Sequence, residues 1–121
     1  MPRDDQHHQK ARQNEQFATT IIRSTTVAEE WAVVITFYSA LHYVQGYFAR
    51  FGAGDCDNHK KRETEIARDD KLKPILPQYL FLYKLGHLSR YKCFALPAKA
   101  YEKAQYALGV IKAQVDKALS E

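Results

Sequence analysis

A histidine followed by three basic residues is the segment of this sequence best suited to bind an anion. Residues 59–62 read HKKR, and an aspartate and an asparagine before them can cap a helix. The backbone N–H groups at such a helix start attract phosphate. His59 and Arg62 are three residues apart and share one helix face. We therefore expect a ligand-binding site formed by His59, Lys61 and Arg62, with a charged surface turn as the alternative.

A second basic and aromatic group, Arg90-Tyr91-Lys92, lies between the predicted fourth and fifth helices. An arginine can hold a phosphate by two parallel hydrogen bonds, and a tyrosine ring can stack on a base. Arg90 and Tyr91 are therefore candidate ligand-binding residues. The alternative is that Arg90 joins two helix ends while Tyr91 packs inward.

Tyr38 and His42 are four residues apart in the predicted second helix and share a face beside the core. Tyr38 is a further candidate ligand-binding residue. His42 and His59 are the two candidates for a catalytic acid or base. The alternative for His42 is a hydrogen-bonded residue at the edge of the core.

Motifs for metals and cofactors are weak or missing in the sequence. Cys56 and His59 form a C-x-x-H pair, but a structural zinc usually takes four ligands and no second close pair follows. The glycine-rich phosphate loops, the H-E-x-x-H motif and the G-x-S-x-G motif are absent. We expect no metal, no cofactor, and reduced thiols at Cys56 and Cys93.

The composition is that of a single helical domain. The chain has 121 residues, of which 45% are hydrophobic and 26% are charged, as in globular domains. Only five glycines and four prolines are present, which favours long helices over a β-sandwich. The net charge of +4 is mildly basic and helps a polyanion approach.

Targeting and membrane segments are not expected from the sequence. The first sixteen residues are polar, which does not fit a signal peptide. The apolar run from Trp31 to Phe48 contains Thr36, Ser39 and His42, and is too polar to span a membrane. We expect a cytoplasmic protein.

Hydrophobic periodicity predicts five helices in one domain covering residues 1–121. The residues up to His8 are expected to be solvated and flexible. A capping box of Thr26 and Glu29 is expected to start the second helix, and Pro74 and Pro77 suit the first turn of the fourth. The five helices are expected to cover residues 9–23, 27–51, 59–70, 74 to about 89–91, and those from Pro97 onward.

Apolar side chains indicate how the helices pack. The second helix is apolar on several sides and is expected to be central. In the second helix the expected main face is Trp31, Val34, Ile35, Tyr38, Leu41, Val44 and Phe48, extended by Val33, Phe37, Ala40 and Tyr47. In the fourth helix the expected face is Leu76, Tyr79, Leu80, Tyr83 and His87. In the fifth helix it is Tyr101, Ala104, Leu108, Ile111, Val115 and Ala118. We predict an all-α, up-and-down four-helix bundle with an additional short helix.

Three segments in order resemble HEPN domains, small helical bundles of prokaryotic defence and toxin–antitoxin systems. WAVVITFYSALHYVQGYF is similar to their early long helix, NHKKR to the histidine-led charged segment of one subgroup, and LSRYKCF to the "ARY" element before the closing helix. The resemblance covers residues 28–119. It implies a four-helix core with an accessory helix, commonly dimeric, that acts as an RNase or binds nucleic acid or nucleotides, in some members beside a nucleotidyltransferase.

The RNase members of that superfamily carry R-x(4–6)-H across a dimer, and this sequence departs from that motif. Arg50 is nine residues before His59, and no histidine follows Arg90. Arg3 and His8 have the spacing but lie in the polar head, outside the resembling region. The resemblance therefore favours a binding module that does not cut RNA.

Three functional hypotheses remain open. The leading one is an RNA- or nucleotide-binding module that forms a homodimer or pairs with a nucleotidyltransferase-type partner. This hypothesis includes no membrane among its partners. Its binding residues would be His59, Lys61, Arg62, Arg90 and Tyr91. The second is a metal-independent RNase in which His42 or His59 moves the proton and Arg62 or Arg90 holds the phosphate. The third is a structural bundle that binds other proteins.

Overall fold

A computed structural model describes the backbone of residues 4–22, 29–51, 56–91 and 99–121, and the side chains of 4–16, 29–51, 56–87 and 99–121. Four long helices, one short helix and a 3-10 turn make up these ranges, which contain no strand. The expected all-α bundle with an additional short helix is confirmed. The elements are α1 (Asp4–Ile22), α2 (Glu29–Phe51), α3 (His59–Arg68), the 3-10 turn (Lys73–Ile75), α4 (Leu76–Tyr91) and α5 (Ala100–Ser120).

The first two long helices, α1 and α2, run in opposite directions. Arg50 at the end of α2 lies 3.9 Å from Asp4 at the start of α1. The Ser39 hydroxyl, earlier in α2, donates to the backbone oxygen of Ala11, later in α1, at 2.6 Å. Residues later in one helix therefore meet residues earlier in the other, which makes α1 and α2 antiparallel. The short α3 lies in the connection between α2 and α4.

Helix α2 is the centre of the bundle, as predicted, because it packs against α1, α4 and α5. Phe37, Ala40, Val44 and Tyr47 are all buried on it. The seam predicted for α5 is also buried from Ala104 to Ala118, while Tyr101 is half-buried.

The prediction that Trp31 lines the main face of α2 is wrong, because its side chain is 64% exposed. The buried stripe of α2 is centred on Val33, Phe37 and Ala40. Trp31 is two residues from Val33, which is about 200° around a helix of 3.6 residues per turn. The bulky ring therefore points away from the core in the first turn.

The expected start of the first helix near Gln9 is also wrong, since α1 begins at Asp4. Asp4 and Asp5 occupy the first turn, where negative charge suits the positive end of the helix dipole. His7 was expected to be solvated but is only 8% exposed, and Ala11 is fully buried. The polar head of the sequence therefore packs on α2 from the first turn of α1 onward.

Two acidic side chains bind backbone N–H groups at helix ends, one after α3 and one in the first turn of α5, and neither contact was predicted from the sequence. Helix α3 ends at Arg68 rather than near Asp70, because Asp69 Oδ1 accepts from the backbone N–H groups of Lys71 and Leu72 and turns the chain. Glu29 Oε1 accepts from the backbone N–H of Tyr101 in the first turn of α5. The proposed Thr26 half of the capping box, and Pro97, lie outside the described residues.

Candidate phosphate-binding site

The start of α3 concentrates positive charge where the helix itself is already positive. Asn58 has an extended backbone, and its Oδ1 accepts from the backbone N–H of Lys61 at 2.8 Å, which confirms a side-chain cap. The first turn contains no acidic residue. Cations at the positive end of a helix dipole are unfavourable by a few tenths of a kcal/mol to about 1 kcal/mol each. An anion bound at this end would relieve that repulsion.

Arg62 is half-buried, and both of its hydrogen-bond acceptors are neutral. Its Nη1 donates to the backbone oxygen of Cys56 at 2.8 Å, and its Nε donates to the Tyr79 hydroxyl oxygen at 3.1 Å. Within the described ranges, no carboxylate pairs with this guanidinium. Arginine stays charged in proteins. Arg62 therefore keeps a positive charge without a direct carboxylate partner among the described residues, and two other parts of the chain hold it in place.

His59 and Tyr79 continue the hydrogen-bond chain that starts at Arg62. Nδ1 of His59 lies 3.1 Å from the Tyr79 hydroxyl oxygen. Because arginine can only donate, the Tyr79 oxygen accepts from Arg62 and its single O–H is left for Nδ1. The neutral imidazole then carries its proton on Nε2, which lies 3.5 Å from Glu63 Oε2. The hydrogen bonds therefore run from Nε of Arg62 to the Tyr79 oxygen and from the Tyr79 hydroxyl to Nδ1 of His59, and the Nε2–H of His59 faces the Glu63 carboxylate.

Burial lowers the pKa of His59. The carboxylate of Glu63 acts in the opposite direction, and the charge of Arg62 adds to the lowering. A lowered pKa agrees with the donor order, since Nδ1 must be unprotonated to accept from Tyr79. His59 is therefore neutral at pH 7.

Tyrosines of α4 form the wall behind His59. The imidazole stacks on the Tyr83 ring with 3.4 Å between the ring centroids and 4° between the planes. It also lies nearly parallel to the Tyr79 ring at 5.5 Å. Neither tyrosine was predicted as a site residue. The available signal was their spacing of four residues, continued by His87, whose ring centroid is 6.1 Å from that of Tyr83.

His42 contacts His7, a residue that was predicted from the sequence to be exposed to solvent. Its Nδ1 lies 2.9 Å from Nδ1 of His7 in α1. Burial, followed by the charges of His7, Lys10 and Arg62, lowers the pKa of His42 to about 4. The charge of Arg62 therefore acts on both candidate histidines, His42 and His59.

The remaining predicted site residues are spread around this cluster. Tyr38 is half-buried on α2, with its ring centroid 5.6 Å from that of Phe37. Lys61 is exposed, and within the described ranges it pairs with no carboxylate. Arg90 and Tyr91 belong to the last turn of α4, but their side chains lie outside the described residues. At 1.5 Å per residue, the backbone of Arg90 is about 16 Å along the axis from Tyr79.

Metal and membrane sites have no support in the described part of the chain. In residues 4–22, 29–51, 56–91 and 99–121, no group of three or more histidine, cysteine or acidic side chains is placed to hold a metal. Cys56 is buried, and Cys93 lies outside the described residues. Among the described helices, none is both long and apolar enough to cross a membrane.

Comparisons with protein-family models, with curated proteins and with solved structures find no match for this chain.

Proposed function

We propose that this protein is a helical module that binds RNA or a nucleotide through phosphate contacts at the start of α3, without cutting it. The observation that carries the proposal is the half-buried guanidinium of Arg62, whose acceptors among the described residues are all neutral. It lies in a helix start with no acidic residue, next to Lys61. A phosphate at this place would receive charged hydrogen bonds, which contribute about 1.5–3 kcal/mol each.

The protonation of the two histidines supports binding rather than cleavage. Cutting RNA through its 2′-hydroxyl needs one group that accepts a proton and one that donates it. The pKa of His42 is lowered to about 4 and that of His59 is also lowered, so both are neutral at pH 7. Neutral imidazoles can accept a proton, and the lowered pKa values reduce the share of each histidine in the protonated form that a general acid needs.

A metal-independent RNase is the second candidate, because the charge of Arg62 acts on both His42 and His59. A phosphate beside Arg62 would oppose that charge and raise both pKa values toward neutrality. Wild type, His42→Ala and His59→Ala are incubated with mixed RNA and EDTA. We expect intact RNA with all three proteins. Cleavage by the wild type that is lost in both variants would establish the RNase instead.

The wider context of the proposal comes from the HEPN resemblance. An all-α bundle with one short helix between longer ones fits the four-helix core and accessory helix that the resemblance implies. On that basis the proposal includes a homodimer or a nucleotidyltransferase-type partner, in a prokaryotic toxin–antitoxin or defence system. Light scattering of the purified protein, alone and with such a partner, tests this part.

The binding proposal is tested by fluorescence anisotropy of a 5′-labelled RNA at several salt concentrations. For three phosphate contacts to a single strand, the affinity should fall roughly 20-fold between about 50 and 200 mM salt. Lys61→Ala should weaken binding and reduce the slope against log salt by about 0.7. The control, Lys117→Ala, removes an exposed lysine of α5 and should bind like wild type. A wild-type protein that binds no RNA or nucleotide at about 50 mM salt would contradict the proposal.

A further inference from the structure

We propose that the ligand is a single-stranded polynucleotide whose backbone follows a groove along α3 and whose bases stack in a second groove between α4 and α5. The inference rests on the proposed function and adds the class of nucleic acid. The first, called the cationic groove, is lined by Lys60, Thr64, Arg68 and Leu76, together with Glu63 and Ala67. The second, called the apolar groove, is lined by Pro77, Gln78, Phe81, Tyr106 and Ala107, together with Glu102 and Lys103.

The cationic groove has a volume of about 370 Å³ and follows one face of α3. Lys60, Thr64 and Arg68 are spaced four residues apart and lie in one row along the helix. At 1.5 Å per residue the row is about 12 Å long, which is longer than a single phosphate group. Arg62 lies about 200° around the helix from Lys60 and from Thr64, so a ligand that contacts both Arg62 and this row must carry several phosphates.

Charge in the cationic groove is net positive toward solvent. Within the described ranges Lys60 pairs with no carboxylate. Arg68 is 74% exposed at its side chain and lies 3.8 Å from Glu65, a pair that solvent weakens. Glu63 also lines the groove, but its Oε2 faces Nε2 of His59. The Thr64 hydroxyl donates to the Lys60 backbone oxygen, so its own oxygen can still accept a bond from a 2′-hydroxyl.

The apolar groove has a volume of about 430 Å³, and the two grooves are lined by neighbouring residues of the chain. Leu76 lines the cationic groove and Pro77 lines the apolar one, so both border the first turn of α4. The apolar groove contains two exposed aromatic side chains, Phe81 at 38% and Tyr106 at 74%. A positive groove for the backbone beside aromatic rings for the bases is the arrangement by which proteins bind single strands.

Single strands suit this pair of grooves better than the other phosphate ligands. A duplex stacks its bases on each other and hides their faces from Phe81 and Tyr106. A mononucleotide has one base and one phosphate group, and cannot fill the 12 Å row and the apolar groove together. The ligand class that uses both surfaces is therefore an unpaired strand.

The test compares a labelled single-stranded RNA of about twelve nucleotides, within the size range of single-strand binders, with its duplex and with a 5′-mononucleotide. Tyr106→Ala should weaken single-strand binding about tenfold, whereas Tyr106→Phe keeps the ring and should bind like wild type. Because Tyr106 is 74% exposed, neither substitution disturbs the core. A double variant, Lys60→Ala with Arg68→Ala, should weaken binding and lower the salt slope.

The outcomes separate this inference from the proposed function. A duplex bound as tightly as the single strand would overturn the inference. So would Tyr106→Ala with wild-type affinity while Lys61→Ala still weakens binding, a result that leaves the proposed function intact. Loss of a partner protein from Tyr106→Ala, with RNA binding unchanged, would assign the apolar groove to a protein. Absence of any salt-sensitive binding by wild type would remove the proposed function itself.

Discussion

Arg62 of α3 donates from its Nε to the hydroxyl oxygen of Tyr79 of α4 at 3.1 Å. Tyr79 is fully buried, whereas Arg62 is half-buried. A core residue therefore fixes the position of a charged group that faces the surface. Holding a guanidinium in this way before a ligand arrives lowers the entropy that binding would otherwise cost.

Removing the Tyr79 hydroxyl is expected to destabilise the protein. Tyr79→Phe keeps the buried ring but leaves Nδ1 of His59 and Nε of Arg62 without their shared partner. The free energy of unfolding should fall by about 1–3 kcal/mol, measured by urea denaturation.

Tyr83→Phe is the matched control for this substitution. The Tyr83 ring also contacts His59 by stacking at 3.4 Å, but within the described ranges its hydroxyl has no hydrogen-bond partner. We expect its unfolding free energy to match that of wild type. Equal losses in the two variants would contradict a specific contribution of the Tyr79 hydroxyl, because both substitutions keep the ring and remove only a hydroxyl.

Stability is expected to fall as the solution becomes more acidic. The pKa of His42 is about 4 in the folded protein, below the ordinary 6.5, so the folded state binds fewer protons than the unfolded one between these values. The unfolding free energy should therefore decrease as the pH falls from about 6.5 to about 4. The lowered pKa of His59 acts in the same direction.

The contribution of His42 to this pH dependence can be isolated with His42→Gln, which removes the titrating group beside His7. Urea denaturation at a series of pH values should give a shallower decrease for the variant than for wild type. An NMR titration of the imidazole should show a midpoint well below 6.5. A midpoint at the ordinary value, or equal pH dependence in both proteins, would refute the proposed desolvation of His42.

Gly46 of α2 is expected to be intolerant of a side chain. A Cβ built there would lie 3.1 Å from the Asp4 backbone oxygen and 3.2 Å from the His7 Cβ. Gly46→Ala should therefore force α1 away from α2 and lower the unfolding free energy by about 1–3 kcal/mol. Thermal unfolding followed by circular dichroism measures the change.

Gly109→Ala is the control for this substitution and is expected to raise the unfolding free energy in the same assay. Nothing lies within 4 Å of a Cβ at Gly109 in α5, and alanine is a better helix former than glycine. We expect a gain of up to about 1 kcal/mol. If Gly46→Ala stabilised the protein as much as Gly109→Ala, this result would contradict the close contact between α1 and α2 at Gly46.

Hydrophobic spacing was sufficient to predict the bundle but not its polar contacts. The seam of α5 and the central position of α2 follow from apolar residues three and four apart, and both are confirmed. The start of α1 was missed because its contacts with α2 involve His7, Ala11 and the small Gly46. Such contacts leave no apolar period in the sequence.

The candidate site was predictable only in its local part. His59 and Arg62 are three residues apart in one helix, so their proximity follows from helix geometry. Their link to Tyr79 spans 17 residues and a turn, and depends on how α3 packs against α4. That Arg90 and Tyr91 bind the same ligand as His59 and Arg62 stays a prediction, since the side chains of Arg90 and Tyr91 lie outside the described residues.

The most direct test of phosphate binding at α3 is an NMR titration of the ¹⁵N-labelled protein with the single-stranded RNA. The amide signals of residues 58–62 and the side-chain Nε–H signal of Arg62 report on the site itself. We predict that these signals shift most, and that added salt reverses the shifts. RNA-dependent shifts confined to other helices, with the signals of α3 and Arg62 unchanged, would contradict the account.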